Sequence, residues 1–310
     1  MNIQIGNAMK RLEWFIMAGC MLLLSLYGCN DDEDLDPSYA DQDRMEQLID
    51  KSNADIMAFK EKYGTYILYE FDQMKDFAYQ FDQAQTWREA TITKLDAEDV
   101  QGAVDFLKEG FWACYSDSLI MYNFPRKFLM VSKLQAGILG VSGVDGQTIY
   151  HDAAVNMNSY TAANLDKESR EAMDETRKTE YFRQLHYVYI AGYLLEVKRN
   201  VFVSDLFFDP SDNLYSTKID KNVAAELDED FYMSRGFFPL DAEENYYPSR
   251  MEDLRIFVQN LIVMDQIMRD KVMERSLMRI KMGNVVQGLK AIGVDIESIN
   301  PFATEFLSVN

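Results

Sequence analysis

The sequence predicts an α+β fold: a small, mostly antiparallel sheet, a central buried helix and a helical C-terminal part. Three observations predict it. Short runs rich in β-branched and aromatic residues alternate with helix-period segments over the first half of the chain. Thr179–Lys198 is apolar on nearly every side of a helix, so other elements must enclose it. From Met251 onward apolar residues recur at helical spacing, with Leu254, Phe257, Val258, Leu261 and Ile262 among them.

In chain order, Met45, Leu48, Ile49, Ile56, Phe59 and Tyr63 trace an amphipathic helix that begins near Ser38 and is capped by Gly64. Thr65–Phe71 and residues 87–95 have the composition of strands. Asp96 stands as the N-cap of a helix over residues 97–115, with Val100, Val104, Leu107 and Phe111 facing inward. Residues 127–132 read as a strand after Pro125, glycines 137, 140, 143 and 146 mark a turn-rich segment, and residues 152–157 read as a further strand. The central helix follows. Residues 201–249 hold three of the six prolines and many Asp, Asn and Ser, the composition of long excursions. Two helices are expected over residues 251–282, separated near 270–276, and a last one over Gly283–Gly293.

The N-terminus carries a separate signal. Lys10 and Arg11 precede an apolar run, Trp14–Tyr27, that is too short for a mature membrane helix and fits the core of an export signal. It ends in Leu26-Tyr27-Gly28-Cys29, which resembles a bacterial lipobox; the alternative is an ordinary secretory signal containing a cysteine. Asn30, Asp31, Asp32, Glu33, Asp34 and Asp36 follow, and charge this dense repels itself into a solvated tether. The run also resembles the acidic sorting signal of some lipoproteins displayed on the outer face of the outer membrane. The expected organisation is a signal peptide over 1–28, an acidic tether over 29–38 and a single α+β domain over 39–310.

A net charge of −20 opposes nucleic acid and anionic lipid headgroups as partners. Of three cysteines, only Cys114 lies beyond the signal and lipobox, so no intrachain disulfide is available to the domain. No histidine stands near it in sequence, and its expected role is a buried structural thiol.

The order of lipobox, acidic tether and N-terminal helix is followed by Y-G-T-Y-I-L-Y-E-F at 63–71 and F-P-R-K-F-L-M-V at 124–131. Y-F-R-Q-L-H at 181–186, R-G-F-F-P at 235–239 and M-E-D-L at 251–254 complete the pattern. This layout resembles the zinc-binding metallopeptidase lipoproteins, and the resemblance implies a zincin-like fold whose central helix carries H-E-x-x-H. Histidines four apart on one helix face hold zinc through neutral imidazoles, and the adjacent glutamate deprotonates the zinc water. Aligned on Y-F-R-Q-L-H, the position of the first zinc histidine is Tyr187, that of the base is Val188 and that of the second histidine is Ala191. Taking His186 as the first ligand instead puts Tyr187 at the base and Ile190 at the second histidine. The family's later acidic element, E-D-x-x-E, persists as Glu252-Asp253 but ends in Ile256. The chain has only two histidines, His151 and His186, so it contains no histidine pair at i, i+4.

These departures remove the metal ligands and the base together, and the reading that follows has no catalytic residue, no metal and no other cofactor. No G-x-S-x-G elbow, P-loop or G-x-G-x-x-G is present. Tyr232, Phe237, Phe238, Tyr246 and Tyr247 cluster in the proline-bearing excursion, where aromatic faces beside polar groups suit sugar rings or peptide side chains; packing beneath a long loop is the alternative. The expectation is a lipid-anchored, non-catalytic protein that binds a peptide, glycan or partner protein at the cell surface in nutrient acquisition. The competing expectation is an active zinc peptidase whose atypical site combines His151, His186 and a carboxylate.

The anchor is directly testable. Cells labelled with a fatty-acid analogue should tag the wild-type protein and lose the tag in Cys29→Ala. Equal tagging of both would exclude acylation at this cysteine.

Overall fold

The computed structural model describes residues 44–77, 90–136, 149–220, 228–240 and 244–308. The signal, Cys29, the acidic tether and the glycine-marked segment all lie outside these residues, as does the start of the strand expected over 87–95. The chain divides into two units, Met1–Gln47 and Leu48–Asn310. In the first, only the beginning of the helical turn α1 (Arg44–Leu48) is described. Among the described residues, no helix is long and apolar enough to cross a membrane.

The second unit is built on a mixed sheet of β1 (Tyr66–Leu68), β2 (Thr91–Lys94), β3 (Lys127–Ala136), β4 (Ile149–Tyr150), β5 (Ala153–Val155) and β6 (Ser159–Ala162). The long strand β3 serves two neighbourhoods. Its first half lies parallel to β1 and β6, with Phe128 opposite Ile67 and Tyr160, while its second half pairs antiparallel with β2 and β4. β5 closes the edge antiparallel to β6, so three of the five pairings described are antiparallel around a parallel centre. Phe128, Leu129, Met130 and Val131 are all fully buried, as a central strand covered on both faces requires.

Two expected helical runs are divided where polar side chains, Asn53 and Asp265, cap the chain within them. The expected first helix is interrupted before α2 (Ala54–Tyr63), where Asn53 accepts the Ile56 N–H at 3.0 Å. The expected helix over 97–115 resolves into a 3₁₀ turn, α3 (Val100–Gly110) and a second 3₁₀ turn, Trp112–Cys114. Asp96 makes no capping bond there. Any side chain on Gly110 would collide with the Phe182 ring, and Phe111 leaves the helix to stack on Tyr160 at 5.4 Å. α4 (Asp117–Asn123) then leads into β3.

The central helix comprises α5 (Lys167–Ala172), a short preface, and α6 (Glu175–Tyr187), which Asp174 caps and which continues as π-helical turns over Val188–Val197. Two tyrosine hydroxyls fix it to the sheet: Tyr160 donates to the Leu185 carbonyl at 2.8 Å and Tyr181 to the Ala163 carbonyl at 2.7 Å. Around them Phe111, Tyr115, Phe124, Phe128 and Tyr189 form a continuous aromatic core. Cys114 is buried beside it, and burial pushes its thiol up to about 11, in keeping with a structural role.

The C-terminal part holds α7 (Asp205–Phe208), α8 (Glu229–Met233), α9 (Arg250–Val263), α10 (Gln266–Glu274), α11 (Ser276–Ile292) and α12 (Ile296–Ile299), followed by 3₁₀ turns over Pro301–Ser308. The break expected near 270–276 is found at Arg275, and a second falls at Met264–Asp265, where Asp265 caps α10. The last long helix starts at Ser276 and runs through Gly283.

One buried ion pair joins these elements. Lys281 of α11 is fully buried, and its ammonium lies 2.5 Å from Asp253 Oδ2 on α9 and 2.7 Å from the Gly236 carbonyl. The Phe207, Phe237 and Phe257 rings surround it with centroids at 4.7–4.8 Å. Tyr215 donates its hydroxyl to the same carboxylate oxygen at 2.7 Å. Gly236 is required here, because its φ of +82° is left-handed and a Cβ would stand 2.6 Å from Ser211 Oγ. Burial draws Lys281 down and Asp253 up, toward their neutral forms, and the contact between them opposes both shifts.

Removing one partner leaves the other charge uncompensated. Lys281→Met alone should therefore lower unfolding free energy by about 3–5 kcal/mol, and Lys281→Met with Asp253→Leu should recover much of that loss. Denaturant midpoints of the three proteins check this. A single variant as stable as wild type would show that the pair does not hold these helices together.

Candidate functional site

The positions aligned with H-E-x-x-H fall where α6 passes into π turns. Tyr187 ends α6, Val188 opens the π-helical segment, and Ala191 is buried within it. α9 packs against this stretch, and its Arg255 pairs with Glu196 at 2.9 Å. Burial raises the Tyr187 phenol above its ordinary value, with Arg255 and Glu196 acting in opposite directions. A tyrosine and two aliphatic side chains thus stand at positions where a zinc site of this type needs neutral imidazoles and a base.

His186, the neighbouring residue, faces the aromatic core. Its Nδ1 lies 2.7 Å from the Tyr115 hydroxyl, and its ring packs on Phe111 at 5.2 Å. The Gly110 carbonyl also hydrogen-bonds the ring. Burial pushes His186 down to about 3 while the Gly110 bond opposes the shift. His151 lies between β4 and β5, where its backbone N–H donates to the Leu134 carbonyl at 2.9 Å. Among the described residues, no group of three or more His, Cys, Asp or Glu side chains is placed to hold a metal ion. The residues present do not fit a zinc centre, neither the family's nor one combining His151, His186 and a carboxylate.

The acidic remnant on α9 has other work. Glu252 forms a capping box with Ser249: each side chain accepts the other's backbone N–H, at 3.3 and 3.4 Å. Asp253 is the partner of Lys281. Ile256, half buried, follows one turn beyond Glu252 on the side of α9 that turns away from this core.

That side of α9 forms one wall of a cleft of about 540 Å³. The opposite wall comes from the proline-bearing excursion, including Phe238, Tyr246 and Tyr247, while Glu252, Ile256 and Gln259 come from α9. Two groups read separately from sequence therefore meet in one place: the remnant of the acidic element and part of the aromatic cluster. Tyr246 is 56% exposed. Tyr232 and Phe237, expected on the same surface, are instead buried with Ile219 and Tyr247 in a satellite core, because the excursion folds over its own apolar side chains.

Sequence reasoning missed Lys281 and Tyr215. A signal existed for the first: Lys281 lies three residues after Met278 and four before Val285, on the buried line of α11. A lysine at such a position needs an acidic partner inside the protein.

No family model matches the chain. No curated protein matches it either. Among solved structures, the chain is similar to the crystal structure of "a putative zinc-binding metallo-peptidase from Bacteroides caccae", with 12% identity over 87% of this chain and 94% of that one, at a TM-score of 0.42.

The buried histidine gives a pH signature. The folded value near 3 lies below the ordinary 6.5, so the contribution of His186 to stability is complete above pH 6.5 and is lost as pH falls toward 3. Wild type should lose up to about 1.4 kcal/mol per pH unit in that window relative to His186→Gln, which cannot titrate. Urea unfolding of both proteins at pH 7, 5 and 4 measures it. Parallel pH curves would show that His186 is not the group responsible.

Proposed function

We propose that this protein is an exported, lipid-anchored binding protein without catalytic activity, built on a metallopeptidase-like frame. It is held at the outer membrane through Cys29 and uses the cleft beside α9 to take a peptide, glycan or partner protein in surface nutrient acquisition. One observation carries the reading. The segment that carries Tyr187, Val188 and Ala191 packs against α9 and offers no histidine or carboxylate at those three positions, while Glu252, Ile256 and Gln259 of α9 line an open cleft with an exposed tyrosine. The lipobox and acidic tether support export and anchoring, and the strong negative charge supports a ligand other than nucleic acid.

A metal-dependent peptidase and a binding protein respond differently to chelation. The chain from residue 29, with Cys29→Ser, should purify without stoichiometric zinc, and a chelator should leave its melting temperature unchanged. About one tightly held zinc per chain, with a fall in melting temperature on its removal, would favour the enzyme.

A further inference from the structure

The cleft has a chemical bias that narrows its occupant. Among the described residues, its lining includes two glutamates, Glu244 and Glu252, and no lysine, arginine or histidine. Both glutamates are solvent-exposed, and they sit in a protein whose net charge is −20. An anionic ligand is repelled from such a site and a cationic one is drawn to it. Tyr246 places an exposed aromatic ring on the same wall, the kind of face on which an ammonium or guanidinium settles.

The aliphatic part of the lining favours a peptide over a sugar, beside the polar Gln259 and Asn260. Ile256, Val263 and Met268 line the α9–α10 side, and Val263 is 51% exposed. Ile267, adjacent in sequence to Met268, is 68% exposed. Aliphatic side chains held in water beside a cleft are suited to other aliphatic side chains. They offer a saccharide none of the hydrogen bonds that its hydroxyls lose on leaving solvent. A volume near 540 Å³ suits a short segment, being within the range of roughly 300–1,000 Å³ that small-ligand sites occupy.

We propose that the occupant of this cleft is a peptide segment carrying a lysine or arginine beside aliphatic residues, its cation held by Glu244, Glu252 and the Tyr246 ring. This inference rests on the reading of the cleft as the binding site and assigns its ligand class.

The test uses the chain from residue 29 with Cys29→Ser, immobilised and exposed to a positional library of acetylated, amidated octapeptides, with an array of neutral oligosaccharides in parallel. Lys or Arg should be enriched at one position, with Leu, Ile, Val or Met beside it. In solution, replacing that cation by norleucine in the best peptide should weaken binding about three- to tenfold, the range that two exposed charge contacts supply at low salt. Glu244→Gln with Glu252→Gln should abolish this preference. Glutamine still serves in a capping box, so these substitutions change the charge without removing the cap on α9. Tyr246→Ala should weaken both peptides. Equal affinity for the norleucine peptide overturns the proposed cation site. Oligosaccharides bound in its place, with binding lost in Tyr246→Ala, overturn the peptide assignment and leave the binding function standing. Binding of neither class overturns both.

Discussion

The contact between Lys281 and Asp253 governs how the C-terminal half of this protein is assembled. A fully buried ammonium is unfavourable unless a carboxylate, a carbonyl and aromatic faces converge on it, and these groups come from separate stretches around Phe207, Gly236–Phe237 and Asp253–Phe257. Satisfying one lysine therefore fixes α9 against α11 and draws in the turn at Ser211–Tyr215 and the backbone at Gly236. A purely apolar core of the same volume could be as stable. The ion pair adds a single register, because the lysine cannot slide by a turn without losing its partner.

This register divides α9 into two surfaces with different duties. Asp253 and Phe257 look inward to the lysine, while Glu252, Ile256 and Gln259 look outward to the cleft. The acidic dipeptide that resembles a metalloenzyme element is thus split between a helix cap and a core ion pair. Asp253 is committed to Lys281, while Glu252 caps α9 and also faces the cleft. At the positions aligned with H-E-x-x-H the central helix carries a phenol and aliphatic groups, and the Arg255–Glu196 pair acts on that phenol. Burial among aromatic rings holds His186 in its neutral form, with Nδ1 hydrogen-bonded to the Tyr115 hydroxyl.

The cleft is a consequence of this packing. The excursion buries Tyr232 and Phe237 in its own small core and leaves Tyr246 at the surface, so its aromatic residues serve two purposes despite a similar appearance in sequence. With Lys281 anchoring Gly236 and Tyr215 close by, the wall carrying Phe238 is tied through the ion pair to the wall carrying Glu252. The cleft and the buried charge are mechanically one unit.

By itself the sequence determined the α+β class, the enclosure of the central helix and the fact that the chain contains no H-E-x-x-H motif, because periodicity and residue type suffice for each. Six of the ten residues over Val188–Val197 are buried, as an all-round apolar helix demands. Tertiary structure decided what spacing cannot encode. The parallel centre of the sheet arises from pairing between strands far apart in the chain, β1 with β3 and β3 with β6. Helix ends at Asn53 and Asp265 were set by capping bonds that interrupt apolar runs. The division of the aromatic cluster into core and cleft, and the choice of Lys281 as partner for Asp253 28 residues away, depend on which surfaces meet once the chain is folded. Burial and charge pairing are properties of neighbours in space, and those neighbours are not adjacent in sequence.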